Sequence, residues 1–175
     1  IYLRNDVPIR EKEGLSLEKG PHGKAFKTDL LIDENGLKLH VDVAEGQKTG
    51  HFLDQVQNHA AMRGISQGQR VLDCFTHTGG FGLHAAYYGA KTVLGLDISE
   101  DAVAQATRNA EVNGLKECRF AVANVFDHLT EMSRKGEQWD VIVLDPPAFA
   151  KSRGAIDNAY RGYKEINLPA LKCIP

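Results

Sequence analysis

The stretch that decides the fold is Val71-Leu72-Asp73-Cys74-Phe75-Thr76-His77-Thr78-Gly79-Gly80-Phe81-Gly82, where a short apolar run leads directly into a glycine-rich turn. An apolar run of this length before a turn predicts a buried strand, and the turn is expected to open a helix. This arrangement is typical of an α/β sheet that binds a nucleotide-like ligand. Taken alone, it is equally compatible with a tight strand-to-helix connection that binds nothing.

Two further polar segments follow apolar runs later in the chain. Asp97 ends the run that begins at Thr92, and Asp145-Pro146-Pro147-Ala148-Phe149 follows Val141–Leu144. The carboxyl ends of parallel strands meet at one edge of a sheet, so these segments are expected to gather there with the glycine-rich turn. A carboxylate at the end of the second strand suits the two hydroxyls of a ribose.

The turn also indicates which kind of cofactor fits. Its glycine spacing departs from the dinucleotide pattern G-x-G-x-x-G, and no lysine or arginine stands in it to meet a pyrophosphate. These features argue against NAD and favour a cofactor without phosphates. S-adenosylmethionine, which carries an adenosine and an amino acid, has this chemistry.

Four segments in order carry a family resemblance: Glu45–Gln55, Asp73–Phe81, Asp145–Ser152 and Arg161–Asn167. Together they resemble the class I S-adenosylmethionine-dependent methyltransferases that modify large-subunit ribosomal RNA, most closely the cytosine-C5 branch. The resemblance covers nearly the whole chain. It implies an α/β fold with a Rossmann-like class I methyltransferase sheet, an RNA substrate and S-adenosyl-L-methionine as cofactor.

The expected cofactor contacts follow from this placement. Asp97 is expected to bind the ribose, Ile98 to give the adenine an apolar face, and Asn124 with Val125 to meet the adenine amino group. Residues of the first turn are expected around the methionine moiety: Asp73, Phe75, Thr78 and Gly79. The plainer alternatives are that Asp97 only caps the next helix and that Ile98 lies in the core.

The resemblance implies a lid over the cofactor, formed by residues before the main sheet: Lys48, Thr49, Phe52 and Gln55. From the residues alone, a core position explains Phe52 better than a lid position does.

The segment after the fourth apolar run is the expected catalytic site. Two consecutive prolines make a rigid turn without backbone N–H groups, so the carbonyl of Asp145 or Pro146 can face a substrate base. Phe149 is expected to stack on that base, or else to fold back on the core. By resemblance, Asp145 acts as the acid at N3 in cytosine-C5 methylation, and the required thiol comes from a Ser-Cys-Ser-like motif beyond Pro175.

Charge gives a limited indication of the RNA surface. The formal net charge is −2, which is unusual for an RNA-binding protein because phosphate neutralisation normally supplies much of the affinity. A local basic cluster is nevertheless present between residues 148 and 164: Lys151, Arg153, Arg161 and Lys164. This cluster is predicted to bind RNA; the alternative is a solvated loop and helix face.

Length and composition indicate one globular domain with a smaller appendage. In 175 residues with 42% hydrophobic side chains, no apolar run is long enough to span a membrane, and no signal peptide begins the chain, so a cytoplasmic protein is expected.

Alternation around Asn35-Gly36 predicts a hairpin over residues 30–44. The expected division is a small antiparallel β unit over residues 1–45 and a methyltransferase domain over 46–175. The three cysteines show no zinc or disulfide spacing and are expected to be buried.

Along the methyltransferase domain the chain is predicted to alternate strand and helix. A helix is expected over 52–64, then strands at 70–74, 92–97, 118–122 and 140–145, with helices near 79–89, 100–113 and 126–135. Class I methyltransferases have more strands than these four, so the resemblance implies that C-terminal strands are missing and that the chain is a fragment. The strand at 140–145 would then present a free edge, which could recruit a second copy.

Three functions remain open on the sequence: a cytosine-C5 rRNA methyltransferase, an rRNA guanine-N methyltransferase with a similar Asp-Pro-Pro-x-Phe motif, and a non-catalytic module that binds cofactor or RNA.

Overall fold

The computed structural model describes residues 1–150 and 153–175, which form two compact units, Ile1–Val56 and Gln57–Pro175. The boundary expected between residues 45 and 46 lies inside the first of these units. The division into a β unit and a methyltransferase domain at that point therefore stays a prediction.

The first unit contains two antiparallel strand pairs. Strand β1 pairs with β2, and β3 pairs with β4. Its elements are β1 (Tyr2–Asn5), α1 (Ile9–Lys12), β2 (Glu18–Pro21), β3 (Asp29–Glu34) and β4 (Leu37–Asp42). The β3–β4 hairpin confirms the alternation around Asn35-Gly36, whereas the β1–β2 pair and α1 had no clear sequence signal.

The hairpin turn shows why Asn-Gly was informative. Asn35 has φ 52° and Gly36 has φ 95°, and positive φ at both central residues is the requirement of the turn that matches strand twist. On β4 the apolar residues Leu37, Leu39 and Val41 are buried, and Lys38 between them is exposed. The period of two therefore selects one buried face, as the sequence predicted.

The helix predicted over residues 52–64 is wrong as a single element. The chain forms a 3₁₀ turn (Leu53–Gln55), a short helix α2 (Val56–Ala61) and a second 3₁₀ turn (Met62–Gly64). Only His59 and Met62 are buried in these elements. So little burial gives a continuous helix weak support, because packing of an amphipathic face supplies most helix stability.

The second unit is a parallel sheet with helices between its strands. Strand order is β7-β6-β5-β8, and every neighbouring pair is parallel. The elements are β5 (Arg70–Cys74), α3 (Gly80–Tyr87), β6 (Thr92–Asp97), α4 (Glu100–Val112), β7 (Cys118–Val122), α5 (Val125–Lys135), β8 (Val141–Leu144) and α6 (Ile156–Lys172). The four strands and three helices predicted for this region are confirmed within a few residues.

Strand β5 lies in the middle of the sheet and is buried on both faces. Leu72 and Cys74 belong to one apolar cluster, which includes Leu129 of α5 and Ile166 of α6. Val71 points to the opposite cluster, which contains Ala85 and Val93. Burial on both faces explains why residues 71–74 of β5 are apolar apart from Asp73.

Two predicted helix boundaries have local causes. The Ser99 hydroxyl accepts a hydrogen bond from the Ala102 amide at 3.2 Å, so Ser99 caps α4 as its sequence position predicted. At the other end, Asn113 is the C-cap and Gly114 has φ 66°, a left-handed conformation that glycine adopts without strain.

Strand β8 is the outer strand of the sheet among the described residues, since β5 is its one neighbour there. Its four residues are all partly exposed. Separately, no helix within residues 1–150 and 153–175 combines the length and apolar character needed to cross a bilayer.

Candidate cofactor site at the carboxyl ends of the strands

The parallel register brings the predicted strand-end residues to one edge of the sheet. Asp73 pairs with Gly95 across β5 and β6, and Asp97 pairs with Val122 across β6 and β7. Leu144 pairs with Cys74, so the Asp145 segment begins beside the glycine-rich turn. The sheet thus places the three polar segments on neighbouring strands.

Asp73 shapes the turn that follows it. The side chain is buried, and its Oδ2 accepts hydrogen bonds from the Thr76 hydroxyl at 2.6 Å and from the Gly82 amide at 2.8 Å. Its Oδ1 is buried without a hydrogen-bond partner among the described residues. Desolvation by burial raises the pKa of Asp73 to about 6, against the opposing effect of these two hydrogen bonds.

The glycine-rich turn has an unusual backbone. Phe75 and His77 have φ 62° and 51°, and Gly79 has φ 91° as the N-cap of α3. Left-handed conformations in residues with a Cβ cost on the order of 1 kcal/mol and persist where surrounding contacts enforce them. The Thr76 amide donates to the carbonyl of Leu96 at 2.9 Å, which fastens the turn to β6.

Close packing under this turn requires a glycine in β6. A Cβ on Gly95 would lie 2.4 Å from the Phe120 ring and 2.9 Å from the Thr76 hydroxyl oxygen. No such approach is tolerated between real atoms, so Gly95 allows Thr76 to reach Asp73 beneath the strand end. Sequence reasoning missed both Thr76 and Gly95, although a glycine inside an apolar strand is a known sign of close approach.

Asp97 is held in a fixed orientation at the end of β6. Its Oδ2 accepts from the His77 amide at 2.9 Å, and its Oδ1 accepts from the Ser99 amide at 3.0 Å. A carboxylate has about four acceptor sites, so both oxygens keep capacity for further hydrogen bonds. Asp97 therefore connects the turn to the start of α4 and remains able to bind hydroxyl groups.

Ile98 is 74% exposed, so the alternative that it lies in the core is wrong. An exposed large apolar side chain beside a fixed carboxylate suits an adenosine, whose base needs an apolar contact and whose ribose needs acceptors.

Asn124 and Val125 differ in solvent exposure. The Asn124 Oδ1 accepts from the Phe126 amide at 3.1 Å and caps α5, while the residue itself is exposed. Val125 is 2% exposed and belongs to the core cluster. Its side chain is thus unavailable to a ligand, and of the two only Asn124 presents a side chain at the surface.

The Asp145 segment leaves the sheet as residues 145–150, which form neither helix nor strand. Asp145 and Pro147 are exposed and Pro146 is partly buried. The ring of Phe149 packs against Phe126 and Tyr163, with centroid distances of 5.7 and 4.6 Å.

Phe149 is therefore folded against the core cluster, which agrees with the second of its two sequence interpretations. Stacking on a base stays a prediction for its exposed side.

The predicted lid residues belong to the first unit. Lys48 has φ 52°, and its Nζ lies 4.9 Å from the centroid of the Phe52 ring. The Thr49 hydroxyl donates to the carbonyl of His51 at 3.0 Å, and Gln55 lies in the first 3₁₀ turn. Their role over a cofactor stays a prediction, and Phe52 is only partly buried.

Part of the predicted RNA cluster lies on α6. Arg161 and Lys164 are exposed and line a groove of about 520 Å³ between α5 and α6, together with Asp127 and Glu165. Lys151 lies outside the described residues, as does the side chain of Arg153. The groove has mixed charge, so its cations do not form an isolated basic patch.

A second groove, of about 630 Å³, lies along α4 and β7 and is lined by Thr107, Leu115 and Phe120 among others. It contains none of the strand-end residues. The strand ends are the candidate cofactor site, because acceptors, an exposed apolar side chain and a helix N-terminus meet there.

The cysteines are buried as expected or nearly so. Cys74 and Cys173 are fully buried, and Cys118 is partly buried. Desolvation raises the pKa of the Cys74 thiol and raises the pKa of Cys118 to about 12, so neither forms a thiolate near neutral pH.

Comparison with known proteins gives the same class as the geometry. The family model described as S-adenosylmethionine-dependent methyltransferase matches residues 21–173. The chain is 46% identical over 177 residues to a protein of Aeromonas salmonicida named ribosomal RNA large subunit methyltransferase I, covering 99% of this chain and 45% of that protein. A Vibrio cholerae protein of the same name is 43% identical over 179 residues, again with 99% and 45% coverage.

Solved structures support the same class of protein. The chain superposes with a TM-score of 0.77 on a crystal structure titled as a methyltransferase complexed with SAH (S-adenosylhomocysteine), at 27% identity, covering 90% of this chain and 42% of that one. A methyltransferase from Agrobacterium tumefaciens, at 19% identity, a TM-score of 0.76 and coverage of 97% and 59%, shares the fold.

The fold and site define a class I-type methyltransferase sheet. The chain belongs to the S-adenosylmethionine-dependent methyltransferase family. It spans about half the length of the curated relatives that it matches.

Proposed function

We propose that this chain is the cofactor-binding part of an enzyme that transfers a methyl group from S-adenosylmethionine to large-subunit ribosomal RNA, at C5 of a cytosine. The observation that carries the cofactor assignment is the Asp97-Ile98 pair, a carboxylate fixed by two backbone amides beside a 74% exposed apolar side chain. The names of relatives at 42–46% identity support the RNA substrate.

The residues present fit this cofactor in three further respects. The turn contains no lysine or arginine for phosphates, the N-terminus of α3 favours a carboxylate, and the buried Asp73 Oδ1 keeps an unused acceptor site. When bound, the cofactor would supply the electrophilic methyl group. The chain's own residues would orient the adenosine through Asp97 and Ile98, and the methionine moiety through the turn.

The cytosine-C5 assignment makes a specific chemical demand. C5 becomes nucleophilic only after a thiolate adds to C6. Burial raises the pKa of all three cysteine thiols, Cys74, Cys118 and Cys173, so the thiol for this reaction would come from a residue outside these 175. Guanine-N methylation, which needs no thiol, is the second candidate, because the raised pKa of the cysteines does not count against it.

Analysis of ribosomal RNA distinguishes the two candidates. Nucleosides from a strain without the gene are compared by mass spectrometry with those from the parent strain and from a strain complemented with the full gene. Loss of one 5-methylcytidine, restored on complementation, supports the proposal. Loss of a methylguanosine supports the second candidate, and an unchanged set of methylated nucleosides contradicts both.

A test of the RNA surface uses the two exposed cations of α6. Replacing Arg161 and Lys164 with Ala is expected to flatten the slope of log K against log salt by up to about 2 units for RNA binding, because each lost phosphate contact removes about one unit or less. Filter binding across a salt series measures the slope.

The matched control for this test replaces Lys91 and Lys116, which are exposed and precede β6 and β7 at the opposite edge of the sheet. This pair removes the same number of charges away from the proposed surface. An unchanged slope in the α6 variant, or an equal change in the control, would move the RNA contact elsewhere.

The outer strand β8 gives a further expectation. Its edge has one partner strand among the described residues, and an edge with unpaired backbone groups tends to recruit another strand. We expect the 175-residue chain to self-associate through β8 as its concentration rises. Light scattering that shows a monomer at every concentration, together with cooperative unfolding, would contradict this expectation.

A further inference from the structure

Three consecutive residues of the glycine-rich turn are each held by a side chain from a different element of the second unit. The Thr76 hydroxyl donates to the buried carboxylate of β5, and the His77 amide donates to the carboxylate that ends β6. The third contact comes from α4, where Nδ2 of Asn109 donates to the carbonyl oxygen of Thr78 at 3.2 Å. Asn109 lies 31 residues further along the chain, so only the tertiary structure creates this contact.

Asn109 is a polar residue on the buried face of α4. It is 1% exposed, whereas the other buried residues of this helix are all apolar: Ala102, Val103, Ala106 and Ala110. A buried amide side chain lowers stability unless hydrogen bonds compensate, and asparagine is a weaker helix former than alanine. Core packing and helix propensity would therefore both favour an apolar residue here. Asparagine adds a contact with Thr78 that an apolar residue cannot make.

Helix α4 also packs closely against the turn at the next residue. Gly79 has φ 91°, and a Cβ added to it would lie 3.2 Å from the Cβ of Ala106 and 3.0 Å from Cδ1 of Leu83. Ala106 and Asn109 are three residues apart, which places them on one face of α4. The helix thus approaches the turn closely at Gly79 and hydrogen-bonds to it at Thr78.

The peptide group between Thr78 and Gly79 is held at both of its polar atoms. Asn109 donates to its carbonyl oxygen, and its N–H donates to the carbonyl of Thr76 at 2.9 Å. The residues on either side of Thr78 have left-handed φ values, 51° at His77 and 91° at Gly79. Such conformations persist where surrounding contacts enforce them, so the turn depends on these hydrogen bonds for its shape.

We propose that Asn109 is a positioning residue that orients the peptide between Thr78 and Gly79 for binding the amino-acid part of the cofactor, an inference that rests on the proposed binding of S-adenosylmethionine at the strand ends. Gly79 is the N-cap of α3, whose first amides favour a carboxylate. Oδ1 of Asp73, buried beneath the same turn, has no hydrogen-bond partner among the described residues. The turn therefore offers a site for a carboxylate and an unused acceptor, and Asn109 acts on it without touching the cofactor.

The first variant is Asn109→Leu, which removes the amide group at similar volume and suits the apolar face of α4. Without the contact, the turn is expected to adopt several orientations, and cofactor binding must select one of them. If the competent orientation falls to about a tenth of the population, the Kd of SAH rises about tenfold. Calorimetric titration of the 175-residue chain with SAH measures this Kd.

Adenosine is a second ligand that separates positioning of the turn from a general loss of the site. It keeps the base and the ribose of SAH but lacks the amino-acid part. Asn109→Leu is therefore expected to change the Kd of adenosine by less than about twofold, while Asp97→Ala weakens both ligands. Ligand-observed NMR measures the weaker binding of adenosine. Equal losses for SAH and adenosine in Asn109→Leu would overturn the proposal.

Two controls on α4 test whether the contact with the turn is the cause. Asn113→Leu is the matched control, because Nδ2 of Asn113 also donates to a backbone carbonyl, that of Asn109 at 2.7 Å, within the helix itself. Gln105→Ala removes the 3.4 Å contact from Nε2 of Gln105 to Oδ1 of Asn109. Both variants should bind SAH with a Kd within about twofold of the wild type. A loss as large as that of Asn109→Leu in either would assign the effect to the helix and contradict the inference.

Hydrogen exchange locates the change within the second unit. Without ligand, backbone amides of residues 75–82 should exchange faster in Asn109→Leu than in the wild type, because the turn opens more often. Peptides from β5 and α4 should keep their exchange rates, as measured by mass spectrometry. Unchanged exchange over residues 75–82, or equal acceleration across the whole unit, would count against positioning.

Asn109→Ala is the second variant, because alanine is the strongest helix former and matches the neighbouring buried residues. It should weaken SAH binding in the same direction as Asn109→Leu. Wild-type SAH affinity in a folded Asn109 variant overturns the inference. Failure of both variants to unfold cooperatively in urea overturns it as well, since Asn109 would then be required for the fold itself.

The wild-type chain and Asp97→Ala test the proposed function separately. If the wild type binds SAH and Asp97→Ala binds it weakly, the cofactor assignment stands, and an unaffected Asn109→Leu variant overturns the positioning inference alone. If the wild type shows no binding, the proposed function fails, and the inference fails with it.

Discussion

Replacing Asp97 with Ala is expected to weaken SAH binding by about 1.5 to 3 kcal/mol, or roughly ten- to a hundredfold in Kd. A hydrogen bond to a charged acceptor has this value, and the ribose hydroxyls would donate such bonds to Asp97. The same carboxylate accepts from the amides of His77 and Ser99, so its loss also frees the turn that is proposed to hold the methionine moiety. Isothermal calorimetry with SAH measures the change.

Two further variants isolate the contribution of Asp97. Asp101→Ala removes an exposed carboxylate from the first turn of α4 and should leave SAH affinity unchanged. Asp97→Asn retains one acceptor oxygen without the charge, so its affinity should fall between those of the wild type and Asp97→Ala. Equal affinities in wild type and Asp97→Ala would refute the strand-end assignment.

Replacing Asp73 with Asn is expected to change the pH dependence of stability by about 2 to 3 kcal/mol. Burial raises the pKa of Asp73 to about 6, above its ordinary value of 3.8. Between pH 4 and pH 6 the folded state therefore holds a proton that the unfolded state releases. The contribution of Asp73 to the free energy of unfolding accordingly falls as pH rises through this window, by about 1.4 kcal/mol per unit of pKa difference.

Asparagine suits this position because only one oxygen of Asp73 accepts hydrogen bonds, from Thr76 and Gly82. The amide oxygen can take over these bonds, and the neutral side chain avoids the cost of a buried charge. We therefore expect Asp73→Asn to gain stability relative to the wild type from pH 4 to pH 7. Urea unfolding at several pH values measures the difference.

The control for this pH series is Asp101→Asn, whose exposed side chain should give a pH dependence parallel to that of the wild type. If Asp73→Asn also runs parallel to the wild type, Asp73 has the same pKa in the folded and unfolded states, and its raised pKa is refuted.

Much of the second unit was predictable because its signals are local. The apolar runs of β5 and β6, the capping residue Ser99 and the stop at Asn113-Gly114 each act within a few residues, and the structure confirms them. The Asn35-Gly36 turn was equally reliable, because positive φ at two successive residues restricts the choice of side chains.

Other elements had no reliable local signal. The β1–β2 pair joins residues that are far apart in the chain, with Tyr2 opposite Pro21 and Asn5 opposite Glu18. Helix α6 continues through Pro169, which a sequence rule would read as a boundary. Its buried residues Ile166 and Ala170 pack in the core cluster with β5, and that packing outweighs the local preference.

The sequence by itself determined the order of strands and helices from β5 to β8 and the strand-end position of Asp73, Asp97 and Asp145, because hydrophobic period and turn chemistry are properties of neighbouring residues. Only the tertiary structure decided what each side chain does there. It buries Asp73 beneath the turn, where the Thr76 hydroxyl donates to its carboxylate and Gly95 leaves room for Thr76. It also exposes Ile98 and turns Phe149 toward Tyr163. These outcomes depend on which surfaces meet across separate elements, since burial, and with it the pKa of a carboxylate, is set by neighbours distant in the chain.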